Sequence, residues 1–175
     1  MLNINNAKKP KVETNTRHEN NVLELFSDKT PATVNNFPAD PDQYNNSISN
    51  RVAKDFIIQG AAQDANLLKK SQRNPIAREV SLALKNRRGT IAAAQKLSDN
   101  NSATSQFSIN LVDNPQLDFQ SNISPLNQGF AVLAQIIDDI EVVDKIRKVA
   151  TTDKPDFSTL PTTPVVIRSI TRVGE

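Results

Sequence analysis

The sequence has no cysteine and no tryptophan, and a single histidine, His18, among its 175 residues. Without thiols there are no disulfides, no thiolate nucleophile and no cysteine-held zinc. With one imidazole, a Ser-His pair would have to use His18, and a metal site needing a second histidine is excluded. No cofactor and no metal is therefore expected. Aromatic residues make up only 5% of the chain, with one Tyr, which leaves little to stack against bases or sugar rings. No apolar run reaches the length of about eighteen residues that a membrane helix needs. The formal charge is only +2, and the basic residues are scattered rather than patched. Neither nucleic acid nor a membrane is expected as a partner.

The chain that remains fits one domain with one core, and its 37% hydrophobic content is low for a globular protein without reaching the range of disorder. Met1 to Pro10, rich in Asn and Lys, reads as a loose tail ahead of a domain over 11–175. Lys11 to Thr14 and Val22 to Phe26 predict a strand hairpin turning around His18 to Asn21. Thr30-Pro31 opens a helix, with Thr30 as N-cap and proline at the first helical position; Pro38 and Pro41 stop it near Phe37. Ser47 to Val52 and Phe56 to Gly60 read as strands, and Ala61 to Asn74 as a long surface loop. Pro75 to Lys85 fits an edge strand or an irregular segment. Further strands are expected at Gly89 to Ala94, Phe107 to Val112 and Phe130 to Ile137, with a polar loop over Asp113 to Gln128. Ile140, Val143, Ile146 and Val149 recur at helical spacing. Thr151 to Thr163, rich in Pro and Thr, reads as a loop. Pro164 to Val173 closes the chain as a strand, with Val165, Ile167 and Val173 on one face and Arg168 and Arg172 on the other. Many short strands with one early and one late helix point to a closed or nearly closed barrel.

Specific stretches then match a family pattern. Thr30-Pro31-Ala32-Thr33-Val34-Asn35-Asn36-Phe37 resembles the early helix of cyclophilins, and Arg51-Val52 followed by Asp55-Phe56-Ile57-Ile58-Gln59-Gly60 resembles their arginine-bearing segment. Gly89-Thr90-Ile91-Ala92 and Ser102-Ala103-Thr104-Ser105-Gln106-Phe107 are similar to two further segments, the second in its bacterial form. Asn114, Leu117-Asp118, Gly129-Phe130-Ala131-Val132, Val142 to Ile146 and Pro164 to Ile170 follow in family order. Each stretch alone is unspecific; their order and spacing, from about Lys11 to Val173, carry the resemblance. It implies a mainly β protein, an eight-stranded antiparallel β-barrel capped by two helices, with side chains filling the interior and the binding groove outside.

The implied activity is peptidyl-prolyl cis-trans isomerisation of protein substrates during folding. Rotation about an X-Pro bond faces a barrier of roughly 18–20 kcal/mol. A catalyst need only favour the twisted amide, whose nitrogen lone pair is localised, with a fixed donor or cation. By resemblance Arg51 supplies that guanidinium, Gln59 holds a substrate carbonyl beside it, and Phe56, Ile57 and Leu117 line the proline pocket. Gln106 contacts the peptide, and backbone groups of Ala94 and Gln95 pair with its extended chain. Read without the resemblance, Arg51 is a surface arginine on a strand, and Phe56, Ile57 and Leu117 are core.

The groove departs from the family pattern at several positions. Ser49 and Asn50 stand where phenylalanine and histidine are usual, and Ser108 replaces the second pocket aromatic. Gln116 stands at a position often held by tryptophan, Phe130 at the groove's His or Tyr, Ala93 for a methionine, and Ala61 for a second glycine. Reduced activity and weak or no binding of cyclosporin are expected. Proline-containing peptides or unfolded proteins are the expected partners, and a monomer the expected state. The alternatives are a non-catalytic module of the same fold that binds proline-containing segments or a protein partner, and an unrelated sugar- or nucleic-acid-binding barrel. The polar tail and the bacterial-type motifs favour a periplasmic location, with the signal peptide absent from this sequence, over a cytoplasmic one.

Overall fold

A computed structural model describes residues 10–37, 41–96, 98–99 and 101–173. The expected tail, apart from Pro10, and the helix-stopping Pro38 lie outside the described residues. Eight strands close into one antiparallel barrel: β1 (Lys11–Thr16), β10 (Val165–Val173), β3 (Ser47–Val52), β4 (Ile57–Asp64), β6 (Phe107–Asn110), β5 (Thr90–Ala93), β7 (Val132–Asp138) and β2 (Asn20–Leu25), which returns to β1. The early and late helices are α1 (Pro31–Asn36) and α3 (Glu141–Arg147), with a single extra turn, α2 (Pro41–Tyr44), between α1 and β3. The remaining two strands, β8 (Thr151–Lys154) and β9 (Phe157–Pro161), form a hairpin outside the barrel.

The interior is filled from both ends. Val34 and Phe37 from the α1 region meet Tyr44 and Phe107, with the Phe37 ring 5.4 Å from each of the other two. These edge-on contacts suit the aromatic quadrupole. Toward α3, Val142, Val143 and Ile146 pack on Val52, Ile58, Leu111 and Val165. The i, i+3 apolar stripe of α3 thus caps one region of the barrel core as its spacing dictates.

Several details differ from the sequence reading. Thr30 is the N-cap residue of α1, but its hydroxyl does not cap. Its Oγ1 instead donates to the Phe26 and Val132 carbonyls. The exposed helix N–H groups are met by Glu79, whose carboxylate accepts from Ala32 N and, 46 residues away, Thr33 N at 2.7 Å. Strand β4 runs on to Asp64 where a loop was expected, and Ala61 and Ala62 are buried. Ala61 adopts φ +79°, the left-handed region that costs an L-residue about 1–2 kcal/mol, at the position where the family pattern has its second glycine. Phe56 belongs to the β3–β4 turn rather than to the strand, with its N–H donating to Ala53 O.

The segment Thr151 to Thr163 is likewise a hairpin rather than a loop. Its exposed β8 shows no alternation, and only Leu160 and Pro161 of β9 are buried. Val165 and Ile167 face inward as expected, but Val173 is 40% exposed. Thr16 pairs with Ile167 and Asn15 with Ser169, so Arg168 is an extra residue that shifts the phase and turns Ile170 inward. Pro75 to Lys85 is irregular, tied down by an isolated bridge between Ile76 and Ala103.

Candidate active site

Strand register assembles an outward-facing row. On β3, Ser49 pairs with Gly60 and Arg51 with Gln59, so Asn50 is a one-residue bulge. A bulge re-aims the residue that follows it, and here it sets Arg51 directly across from Gln59. Gly60 makes the close approach possible, since a Cβ there would sit 2.8 Å from the Ile48 carbonyl oxygen. Gln59 in turn pairs with Ser108 on β6, and Ser108 with Ala92 on β5. Neighbours of these residues, Ile58, Phe107, Ile91 and Ala93, belong to the interior clusters, so strand alternation puts Arg51, Gln59, Ser108 and Ala92 on the outside.

Within the row, Gln59 Nε2 donates to Gln106 Oε1 at 3.3 Å. Arg51 is half-buried, its Nε is shielded from solvent, and that Nε has no hydrogen-bond partner. None of the ion pairs among the described residues engages it. Among the described residues, the guanidinium is therefore not paired with a neighbouring carboxylate. Ile57, 7% exposed, is absent from both interior clusters and lies on the same outer face.

Beside this row a cleft of about 430 Å³ is lined by Gln59 and Gln106 together with Ala94, Gln95, Gln63, Gln72 and Thr104. Lys69, Lys96 and Asp99 also contribute to its lining. Of the two backbone positions expected to pair with a peptide, Ala94 already uses its N–H on Gln106 O, 3.0 Å away. Gln95 anchors the cleft wall by donating through Nε2 to Gly129 O at 3.2 Å. The cleft residues Ala62, Gln63, Gln72 and Thr104 were not anticipated. Isolated amides and hydroxyls in a polar stretch carry no periodic signal that would single them out.

Phe56, Leu117 and Phe130 form a second group. Leu117 ends a 3-10 turn, Pro115–Leu117, and its carbonyl accepts from Phe130 N at 2.9 Å. Phe56 O accepts from Leu111 N at 3.0 Å and from Asn114 Nδ2 at 3.1 Å. Register links the two groups, because Ile57 pairs with Asn110 on β6, two residues beyond Ser108. Gln116 is exposed and donates to Asn114 Oδ1 at 3.1 Å, so the position usual for tryptophan holds a solvated amide. Among the described residues no cluster of three or more His, Cys, Asp or Glu side chains is arranged to hold a metal. No helix among them is long and apolar enough to cross a membrane.

An antiparallel barrel with helical caps and an arginine–glutamine row on its outer face defines a class of protein, and comparison with known proteins agrees. The sequence model described as "Cyclophilin type peptidyl-prolyl cis-trans isomerase/CLD" matches residues 11–172. The chain is 40% identical over 162 residues to peptidyl-prolyl cis-trans isomerase B of Escherichia coli, covering 91% of this chain and 98% of that protein. It is 38% identical over 165 residues to a peptidyl-prolyl cis-trans isomerase of Streptomyces antibioticus, covering 93% and 98%. A crystal structure of a cyclophilin type isomerase from Cryptosporidium parvum superposes with a TM-score of 0.78 at 26% identity, covering 95% of this chain and 99% of that one. The same Cryptosporidium protein has also been crystallised in the presence of the dipeptide Ala-Pro. The chain belongs to the cyclophilin-type peptidyl-prolyl cis-trans isomerase family, and its activity is the isomerisation of X-Pro bonds.

Proposed function

We propose that Arg51 is the catalytic residue of this isomerase and that Gln59, Phe56 and the residues around them hold the substrate. The observation that carries this reading is the Asn50 bulge, which sets a half-buried guanidinium with no paired carboxylate against Gln59 and, through it, Gln106. A substrate X-Pro segment lies along the outer face, its proline ring toward Phe56, Ile57 and Leu117. Gln59 holds a substrate carbonyl. The Arg51 fork donates toward the prolyl nitrogen as rotation localises the lone pair there, which lowers the twisted state relative to either planar one. No bond to the enzyme forms, and no proton changes owner.

Ser108, buried in the middle of the row, offers a hydroxyl where an aromatic wall would grip the ring. Losing one such contact forfeits about 1–3 kcal/mol of binding. Turnover is accordingly slower than in a relative with the aromatic in place, and cyclosporin binds weakly or not at all. The Ala-Pro dipeptide used with the Cryptosporidium relative supports proline-containing peptides as the ligand class. Every residue invoked comes from one chain, so a monomer suffices.

The test is the exchange rate of a prolyl peptide, followed by NMR, with wild type and Arg51→Ala. Removing one pre-organised donor of this kind costs about 10²–10³ in rate. Equal rates would remove Arg51 from the mechanism.

A further inference from the structure

Three asparagines that the reaction does not use lie buried beneath the proline-pocket residues: Asn86, Asn110 and Asn114. Asparagine is ordinarily an exposed turn former, so three fully enclosed ones need an account. Asn114 Nδ2 donates to Phe56 O at 3.1 Å and to Asn110 Oδ1 at 2.8 Å. Asn110 Nδ2 donates to Thr90 Oγ1 at 2.9 Å and Asn86 Oδ1 at 3.3 Å. Asn86 Nδ2 donates to Leu117 O at 2.9 Å, and the Asn86 backbone N–H donates to Asp118 Oδ1 at 2.7 Å. The loop is closed by Asn114 N donating to Asn86 O at 2.8 Å.

The network therefore has its two ends on the carbonyls of Phe56 and Leu117, which lie 61 positions apart in sequence and on different elements. Phe130 is tied in as well, because its N–H shares the Leu117 carbonyl. A chain of satisfied amides in a water-excluded setting has few alternative arrangements, and its members stiffen one another. We infer that Asn114, Asn110 and Asn86, braced by Asp118, are positioning residues that hold the Phe56 and Leu117 walls at the spacing a proline ring requires. This inference rests on the assignment of Phe56 and Leu117 to the substrate pocket. It explains how a pocket made by a strand turn and a 3-10 turn keeps its shape although neither wall residue belongs to a strand of the barrel.

The experiment measures kcat/KM on a prolyl peptide for each variant well below its melting temperature. Val12→Ala, on β1 across the barrel from β6, serves as a control for lost stability alone. Displacing a wall by a fraction of an ångström to an ångström predicts a loss of about 10- to 100-fold for Asn114→Ala, with Val12→Ala close to wild type. Leu117→Ala is also expected to lose activity. The double variant Asn114→Ala/Leu117→Ala should then fall little below the lower single variant, because both disturb the same spacing between the Phe56 and Leu117 walls. Asp118→Asn, which keeps an oxygen for the Asn86 N–H, should retain most of the activity that Asp118→Ala loses; this pair decides the matter if Asn114→Ala does not fold. Losses that simply add, or an Asn114→Ala rate equal to that of Val12→Ala while Leu117→Ala is impaired, would overturn the positioning role alone. A Leu117→Ala rate at the wild-type level would instead overturn the pocket assignment and the inference with it.

Discussion

Ser108 shows what one residue decides in this groove. It is 6% exposed, faces outward, and stands between Gln59 and Ala92 in the strand register. Its neighbour Ala92 is also small, so neither residue brings an aromatic side chain to this part of the row. Ser108→Phe should raise affinity for a prolyl peptide about 10-fold or more, as one added aromatic contact is worth about 1–3 kcal/mol. Titration of peptide shifts in NMR measures it, and an unchanged affinity would mean that the proline ring does not lie over this position. The departures at Ser108 and Gln116 were readable from the sequence because the matching segments around them fix their place. The bulge at Asn50 was not readable: a bulge is a property of a pair of strands, and one strand's sequence does not reveal which residue its partner skips.

At the scale of elements, local patterns and long-range partners explain different things. α3 was legible because Ile140, Val143, Ile146 and Val149 recur every third residue, although the helix itself runs only over Glu141–Arg147, with Ile140 at its N-cap and Val149 past its end. The early helix was legible through Pro31, but its cap was not, since the acceptor arrives on Glu79 from an irregular segment. The β8–β9 hairpin escaped because β8 is wholly exposed and β9 buries only Leu160 and Pro161, and such a ladder imposes no apolar alternation. The extension of β4 past Gly60 escaped for a related reason, as Gln63 and Asp64 look like loop residues and only pairing with Ser47 makes them strand. Glu79→Ala should leave the α1 N–H groups of Ala32 and Thr33 without their acceptor and cost about 1 kcal/mol. That corresponds to a melting temperature lower by about 2–4 °C in a domain of this size. A calorimetric scan showing no change would mean that solvent replaces the carboxylate fully.

At the scale of the molecule, closure of the barrel sets where the chain can be cut and rejoined without removing a stave. Lys11 pairs with Val173 across the β1–β10 seam, so the two ends of the domain lie side by side. The tip of the β8–β9 hairpin, Pro155 and Asp156, is exposed on both residues. A circular permutant that joins Val173 to Lys11 through a short flexible linker, with new ends between Pro155 and Asp156, should therefore fold and isomerise prolyl peptides at close to the parental rate. Circular dichroism and the exchange assay report the two properties separately. Loss of structure would show that the hairpin does more for the barrel than its exposed surface indicates.

The same seam dictates an order of events during synthesis. β10 emerges from the ribosome after every stave it joins, yet it lies between β1 and β3 and bonds to both. Until it arrives, two open sheet edges face each other across a gap, each presenting unpaired backbone groups. The nascent isomerase is for that interval a sticky, half-finished sheet. The last strand to be made is thus the one whose arrival pairs both open edges at once.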